Sequence, residues 1–311
     1  MRPKNLRTKI FLDSGDPSDT KKILQDIDFL DGQTTNPSLV AKNPQVRDHL
    51  KAGKSFSQEE ALLLYRDIVS EISMLLPNGS VSVEVPASAC TSAEEMYTSG
   101  KTMFGWIQNA HIKLPIIRAG LETAKRLVDE GVRVNMTLCF TESQAAAVAS
   151  ATRGAKQQGD VFISPFVGRL DDRGENGMSL VSNIIRMYQK EKSNTQVLAA
   201  SIRTLDMFLL ALASGTDIIT APYTVLKEWA DKGMPVPGYN TIPADVNLRQ
   251  IPYQRIKIDQ EWQAYDIDHE LTEKGLQRFT DDWESLLGIS QKHEESKKKK
   301  SISEKVSLFE K

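Results

Sequence analysis

Lys113 stands out in this chain because of the residues around it. It lies in the run AHIKLP, where its neighbours are apolar and Leu114–Pro115 follow directly. At the end of a buried strand an ammonium is poorly solvated, which favours a neutral amine able to attack a carbonyl. Two carboxylates occur in similar settings: Asp13 closes KIFLD and Glu84 closes SVSVE. Both could shuttle the protons that such an attack requires. The competing reading is a Lys113–Glu84 pair kept only for structure.

More polar residues recur inside otherwise apolar runs. Thr34 and Asn36, Ser82 and Glu84, Asn135 and Thr137, and Ser201 and Arg203 are each spaced i, i+2, and Ser164 adds a single hydroxyl. Side chains two apart on a strand share one face, and a buried polar group needs a partner or a purpose. Seven strands bringing such groups to one rim predict a site. Metal chemistry is not expected, because the four histidines (His49, His111, His269 and His293) show no ligand spacing. His111, two before Lys113, reads as a satisfied core histidine. No GxSxG elbow points to serine hydrolysis.

The elements that would hold these residues are legible. KIFLD (9–13), GQTTN (32–36), SVSVEV (80–85), AHIKL (110–114), RVNMTLCF (133–140), VFISPF (161–166), QVLAAS (196–201) and DIITAP (217–222) read as buried strands. Amphipathic stretches alternate with them, among them 123–131, 143–155, 178–192 and 203–215. Eight strand–helix repeats predict an α/β fold, a (β/α)8 TIM barrel. An open doubly wound sheet would carry a glycine-rich turn after the first strand, and DSGDPSD is not one. The stretch from Asn43 to Pro77, with a clear helix over 57–76, predicts extra helices beyond the minimal barrel. A closing amphipathic helix is expected over 270–288. Residues 1–288 are therefore read as one catalytic domain and 289–311, with Lys297–Lys300, as a charged, solvated tail.

Composition sets limits on function. The 311 residues are 40% hydrophobic and 26% charged, with a net charge of -2 from 39 basic and 41 acidic side chains. That balance argues against a nucleic-acid or membrane-surface partner. No run reaches the roughly 20 apolar residues of a membrane span. The basic N-terminus turns into a strand rather than a signal segment. Cys90 and Cys139 are the two cysteines and form no framework. A cytoplasmic protein is expected, and a homo-oligomer is compatible with the sequence.

FLDSGD, DGQTTNPSL, VSVEV, IKLP, GVRVNMTLCFTESQA, ISPFVGRLDDRG and LAASIR, in this order, resemble the successive strand motifs of the transaldolase family. The likeness extends from about Lys9 to Gly288 and includes the closing ELTEKGLQRFTDDW. It implies a barrel enzyme without a cofactor that acts on sugar phosphates through a Schiff base on Lys113. By the same likeness Asp13 handles the proton of the C4 hydroxyl, and Glu84 with Thr137 positions a water. Asn36 and Asn135 hold the dihydroxyacetone unit, with Thr34, Ser82, Ser164 and Ser201 as further lining groups. Arg169 and Arg203 clamp phosphate, a role suited to planar guanidinium groups. Phe166 stands where the aldolase branch of the family has a tyrosine, which favours transfer over simple cleavage. Two alternatives stay open: a lyase resembling fructose-6-phosphate aldolase, and a non-catalytic barrel that serves as a scaffold.

Overall fold

The fold is that of a computed structural model, which describes residues 1–239, 241 and 247–289. Eight parallel strands form a closed barrel in chain order: β1 (Lys9–Asp13), β2 (Gly32–Thr34), β3 (Ser80–Glu84), β4 (Ala110–Pro115), β5 (Val134–Cys139), β6 (Val161–Pro165), β7 (Gln196–Ala199) and β8 (Ile218–Ala221). β8 pairs back onto β1, with Ile10 opposite Ile219. The helices are α1 (Pro17–Ile27), α2 (Pro37–Ala41), α3 (Pro44–Lys51), α4 (Gln58–Leu75), α5 (Ala93–Phe104), α6 (Arg118–Asp129), α7 (Glu142–Ala151), α8 (Val167–Asp171), α9 (Gly177–Glu191), α10 (Leu205–Ala213), α11 (Tyr223–Asp231) and α12 (Glu270–Leu286).

Each strand alternates between two apolar environments. Outward residues such as Leu12, Val83, Ile112, Leu114, Met136 and Ile163 join the large core between sheet and helices. Inward residues at the lower end form a second, small cluster of Phe11, Phe162, Leu198 and Ile218. Phe11 and Phe162 meet edge to face at 6.0 Å. Gly32 makes room for this floor, since a Cβ there would lie 2.6 Å from the Phe11 ring and 2.4 Å from the Ser80 carbonyl. The same strands become polar toward their C-terminal ends, where barrel sites form.

Helices α2, α3 and α4 fill the long β2–β3 connection, the elaboration expected from Asn43 to Pro77. Asn36, Asn43 and Ser57 are their N-caps, and Ser57 forms a reciprocal capping box with Glu60. The closing helix α12 lies across the mouth of the barrel and is fixed at several points. Thr272 Oγ1 donates to the Leu138 carbonyl at 3.0 Å, and Thr280 Oγ1 to that of Ala87 at 3.0 Å. Asp282 accepts from the Ser38 hydroxyl, and Leu286 O from Phe56 N at 2.9 Å.

Two boundaries depart from the sequence reading: β2 stops at Thr34, leaving Asn36 as the cap of α2 rather than a strand residue, and β7 also ends early. β7 stops at Ala199 rather than Ser201, and Ser201 turns into the left-handed region with φ 59°. The next helix begins at Leu205 behind a Thr204 cap, so Ser201 and Arg203 sit on a loop rather than on a strand. Leu138, at a bulge in β5, is likewise left-handed with φ 63°. The Lys297–Lys300 tail lies outside the described residues.

Candidate active site

The β3–β4 register sets Glu84 directly beside Lys113, and β4–β5 sets Lys113 beside Asn135. Lys113 is 3% exposed, and its Nζ lies 2.9 Å from Glu84 Oε2. Nζ also donates to the Thr35 carbonyl at 3.4 Å and sits 5.8 Å from the centre of the Phe279 ring. Glu84 Oε2 is at ion-pair distance yet accepts no aligned hydrogen bond. A buried tyrosine supports this strand end: Tyr65 Oη accepts from Glu84 N at 2.9 Å and lies 2.6 Å from Thr35 Oγ1.

Asp13 accepts from Thr34 Oγ1 at 2.7 Å. Thr34 has one hydroxyl proton, so Thr220, 2.6 Å away, is the donor in the next link. On the other side Ser164 Oγ donates to Asn135 Oδ1 at 2.7 Å, and Asn135 Nδ2 to Ser82 Oγ at 3.0 Å. These chains fix rotamers and tie β1, β2 and β8, and then β3, β5 and β6, into a rigid rim.

Burial raises the Asp13 carboxyl, while the Lys113 charge, the Thr34 hydroxyl and the Lys42 charge pull it back. Glu84 is also raised by burial, opposed by Lys113, with the Asp13 charge adding to the upward push. Two proton-retaining carboxylates thus flank one buried amine. Such an arrangement can exchange a proton without solvent.

A cavity of about 420 Å³ opens above Lys113. Asp13, Thr34, Asn36 and Ser164 line it, together with Phe166, Arg169, Ser201 and Arg203. Asn36 is buried and caps α2 through Oδ1, which accepts from Leu39 N at 2.9 Å. Phe166 leads into α8 and meets Phe140 edge to face at 5.9 Å. Arg203 is held by a forked pair to Asp172 at 2.6 and 2.8 Å. Glu84, Ser82, Asn135 and Thr137 lie behind the lining. The Thr137 hydroxyl is fully buried and has no hydrogen-bond partner among the described protein groups.

His111 belongs to the floor. Its ring stacks on Phe162 at 4.1 Å, with Nδ1 2.7 Å from Ser80 Oγ and Nε2 2.8 Å from the Gly159 carbonyl. Burial pushes it down to about 3, so it stays neutral at ordinary pH. Among the described residues no group of three or more His, Cys, Asp or Glu is placed to hold a metal. No helix among them is long and apolar enough to cross a membrane.

Sequence reading missed several residues of this site. Thr220 carries the same signal that marked the others, a hydroxyl in a buried strand. Lys42, in the turn after α2, and Arg278 and Phe279, on α12, carry no such signal, because their approach to the pocket depends on tertiary packing.

The family described as transaldolase/fructose-6-phosphate aldolase matches residues 10–289. A protein of Dehalococcoides mccartyi named "Probable transaldolase" is 34% identical over 278 residues, covering 89% of this chain and 99% of its own. Another of that name from Brucella melitensis is 37% identical over 237 residues, covering 76% and 95%. The solved 3-hexulose-6-phosphate synthase of Salmonella typhimurium overlaps 73% of this chain and 95% of its own with a TM-score of 0.45 at 10% identity, too distant to bear on the chemistry.

Proposed function

The chain belongs to the transaldolase/fructose-6-phosphate aldolase family, and we propose that it is a transaldolase moving a dihydroxyacetone unit between sugar phosphates. The reaction is sedoheptulose 7-phosphate plus glyceraldehyde 3-phosphate giving erythrose 4-phosphate plus fructose 6-phosphate. The observation that carries this reading is the buried Lys113 amine, 2.9 Å from Glu84, in the pocket that Asp13 also lines.

Glu84, made more proton-retentive by burial, takes a proton from the Lys113 ammonium, and the free amine adds to C2 of the donor ketose. Loss of the C2 oxygen as water leaves an iminium ion. Asp13 then accepts the C4 hydroxyl proton while the C3–C4 bond breaks, its electrons passing into the iminium to form an enamine. Erythrose 4-phosphate leaves with the new C4 carbonyl. The enamine attacks the aldehyde carbon of glyceraldehyde 3-phosphate, and Asp13 returns its proton to the nascent alkoxide. Water, oriented by Glu84 and Thr137, hydrolyses the iminium, releases fructose 6-phosphate and restores Lys113. The fully buried Thr137 hydroxyl, without a protein hydrogen-bond partner, supports that last role.

Asn36 and Asn135 orient the three-carbon unit, and Arg169 and Arg203 receive the phosphate. Phe166 offers no proton to the enamine, which therefore waits for an acceptor. A direct assay is to follow fructose 6-phosphate formation from the two substrates and free dihydroxyacetone from the donor alone. Fructose 6-phosphate is expected, with little dihydroxyacetone. Comparable dihydroxyacetone release without acceptor would assign the chain to the aldolase branch instead.

A further inference from the structure

We propose that Arg278, carried by the closing helix α12, is a third arginine of the pocket's anion-binding end and sets its preference for phosphorylated sugars. The proposal rests on the transaldolase reading for the identity of the anion, a phosphate monoester. Its geometry stands apart from that reading.

One face of α12 is pressed onto the barrel mouth. Gly275 is so close to Leu138 that a Cβ would lie 2.6 Å from its side chain. One turn on, Phe279 covers Lys113, and Asp282 accepts from the Ser38 hydroxyl. Arg278 stands at the edge of that face and lines the same cavity as Arg169 and Arg203. Its Nε lies 3.9 Å from Asp282, too long for a hydrogen bond. Three guanidinium groups from α8, the β7–α10 loop and α12 thus converge on one end of the pocket. Each comes from a separately anchored element.

The acids near this end are largely engaged: Asp171 and Asp172 both act on Arg203. Asp172 is taken by the fork of Arg203, and Asp282 is shared between Arg278 and a serine. Arg169 is pushed down first by burial, then by the charge of Arg278 and only after that by Arg203, with Asp172 opposing. Like charges held this close favour a bound dianion, and forked donors match the oxygens of a phosphate. Because Arg203 is already paired, Arg169 and Arg278 are the pair better disposed to take the anion first.

Calorimetric titration of the full chain with inorganic phosphate, together with steady-state kinetics on fructose 6-phosphate, tests the proposal with Arg278→Met and Arg278→Lys. Arg278→Met should bind phosphate roughly tenfold more weakly. Its KM should rise by a similar factor, with kcat changing much less. Arg278→Lys, which keeps the charge but not the fork, should fall between. The Arg278 side chain is 52% exposed, so both variants should fold. Phosphate affinity of Arg278→Met equal to the parent's, or no phosphate binding by the parent, would overturn the proposal. Weakened phosphate binding alongside absent sugar-phosphate turnover in the parent would support the anion site and refute the transaldolase reading.

Discussion

Asp13 and Glu84 are each ordinary carboxylates made unusual by position. Burial raises both, and the Lys113 charge opposes that rise. An acid–base group of this kind contributes about 10²–10⁴ to rate, so Asp13→Asn should lower kcat by that order. The same change has an opposite effect on the fold. A carboxyl whose folded pKa lies above its unfolded value disfavours folding once ionised. The cost is absent below the unfolded pKa and grows as pH rises through the folded one. Asp13→Asn is therefore expected to unfold at higher denaturant than the parent at pH 7, with the gap closing near pH 3. A variant both inactive and less stable at pH 7 would mean that Asp13 is chiefly structural. The lysine and both carboxylates were legible in the sequence because charge inside an apolar run has few structural uses. Lys42 and Arg278 were not, since a cation in a turn or on the polar side of an amphipathic helix looks like any solvated residue.

The strands were the most legible elements. All eight appear where apolar runs and their breaks put them, within one or two residues at each end. β7 ends early because Ala200 and Ser201 are drawn into a loop that holds α8. The Gly168 amide donates to the Ser201 carbonyl at 3.1 Å, and Val167 N donates to the Ala200 carbonyl at 3.0 Å. No periodicity encodes such a contact. It has a consequence for the loop that bears Arg203. A Cβ at Gly168 would lie 2.5 Å from Ser201 O and 2.7 Å from Arg203 Nε. Gly168→Ala should thus displace both, costing about 1–3 kcal/mol of stability and raising KM for phosphorylated donors several-fold. An unchanged KM with the stability loss intact would separate the loop's packing from phosphate binding. The extra helices were foreseen as a class, but the placement of α12 over the mouth was not, because its anchors Leu138, Ala87 and Ser38 are scattered through the chain.

On the scale of the whole molecule the barrel is divided along its axis. The lower interior is closed by Phe11, Phe162, Leu198 and Ile218, with His111 neutral and fully bonded among them. The upper interior gathers the polar groups, among them Asp13, Thr34, Lys113 and Ser164. Buried polarity of this kind needs partners or a function. His111 is two residues below Lys113, yet it bonds downward to Ser80 and Gly159 and so supports the floor rather than the chemistry. The division leaves Lys113 as the point on which the account depends. The most direct test is borohydride reduction in the presence of fructose 6-phosphate, followed by intact-mass measurement and peptide mapping. One dihydroxyacetone-derived adduct per chain, on the peptide containing Lys113 and lost in Lys113→Met, is the predicted result. An adduct on a different lysine, or turnover of sugar phosphates by Lys113→Met, would contradict it.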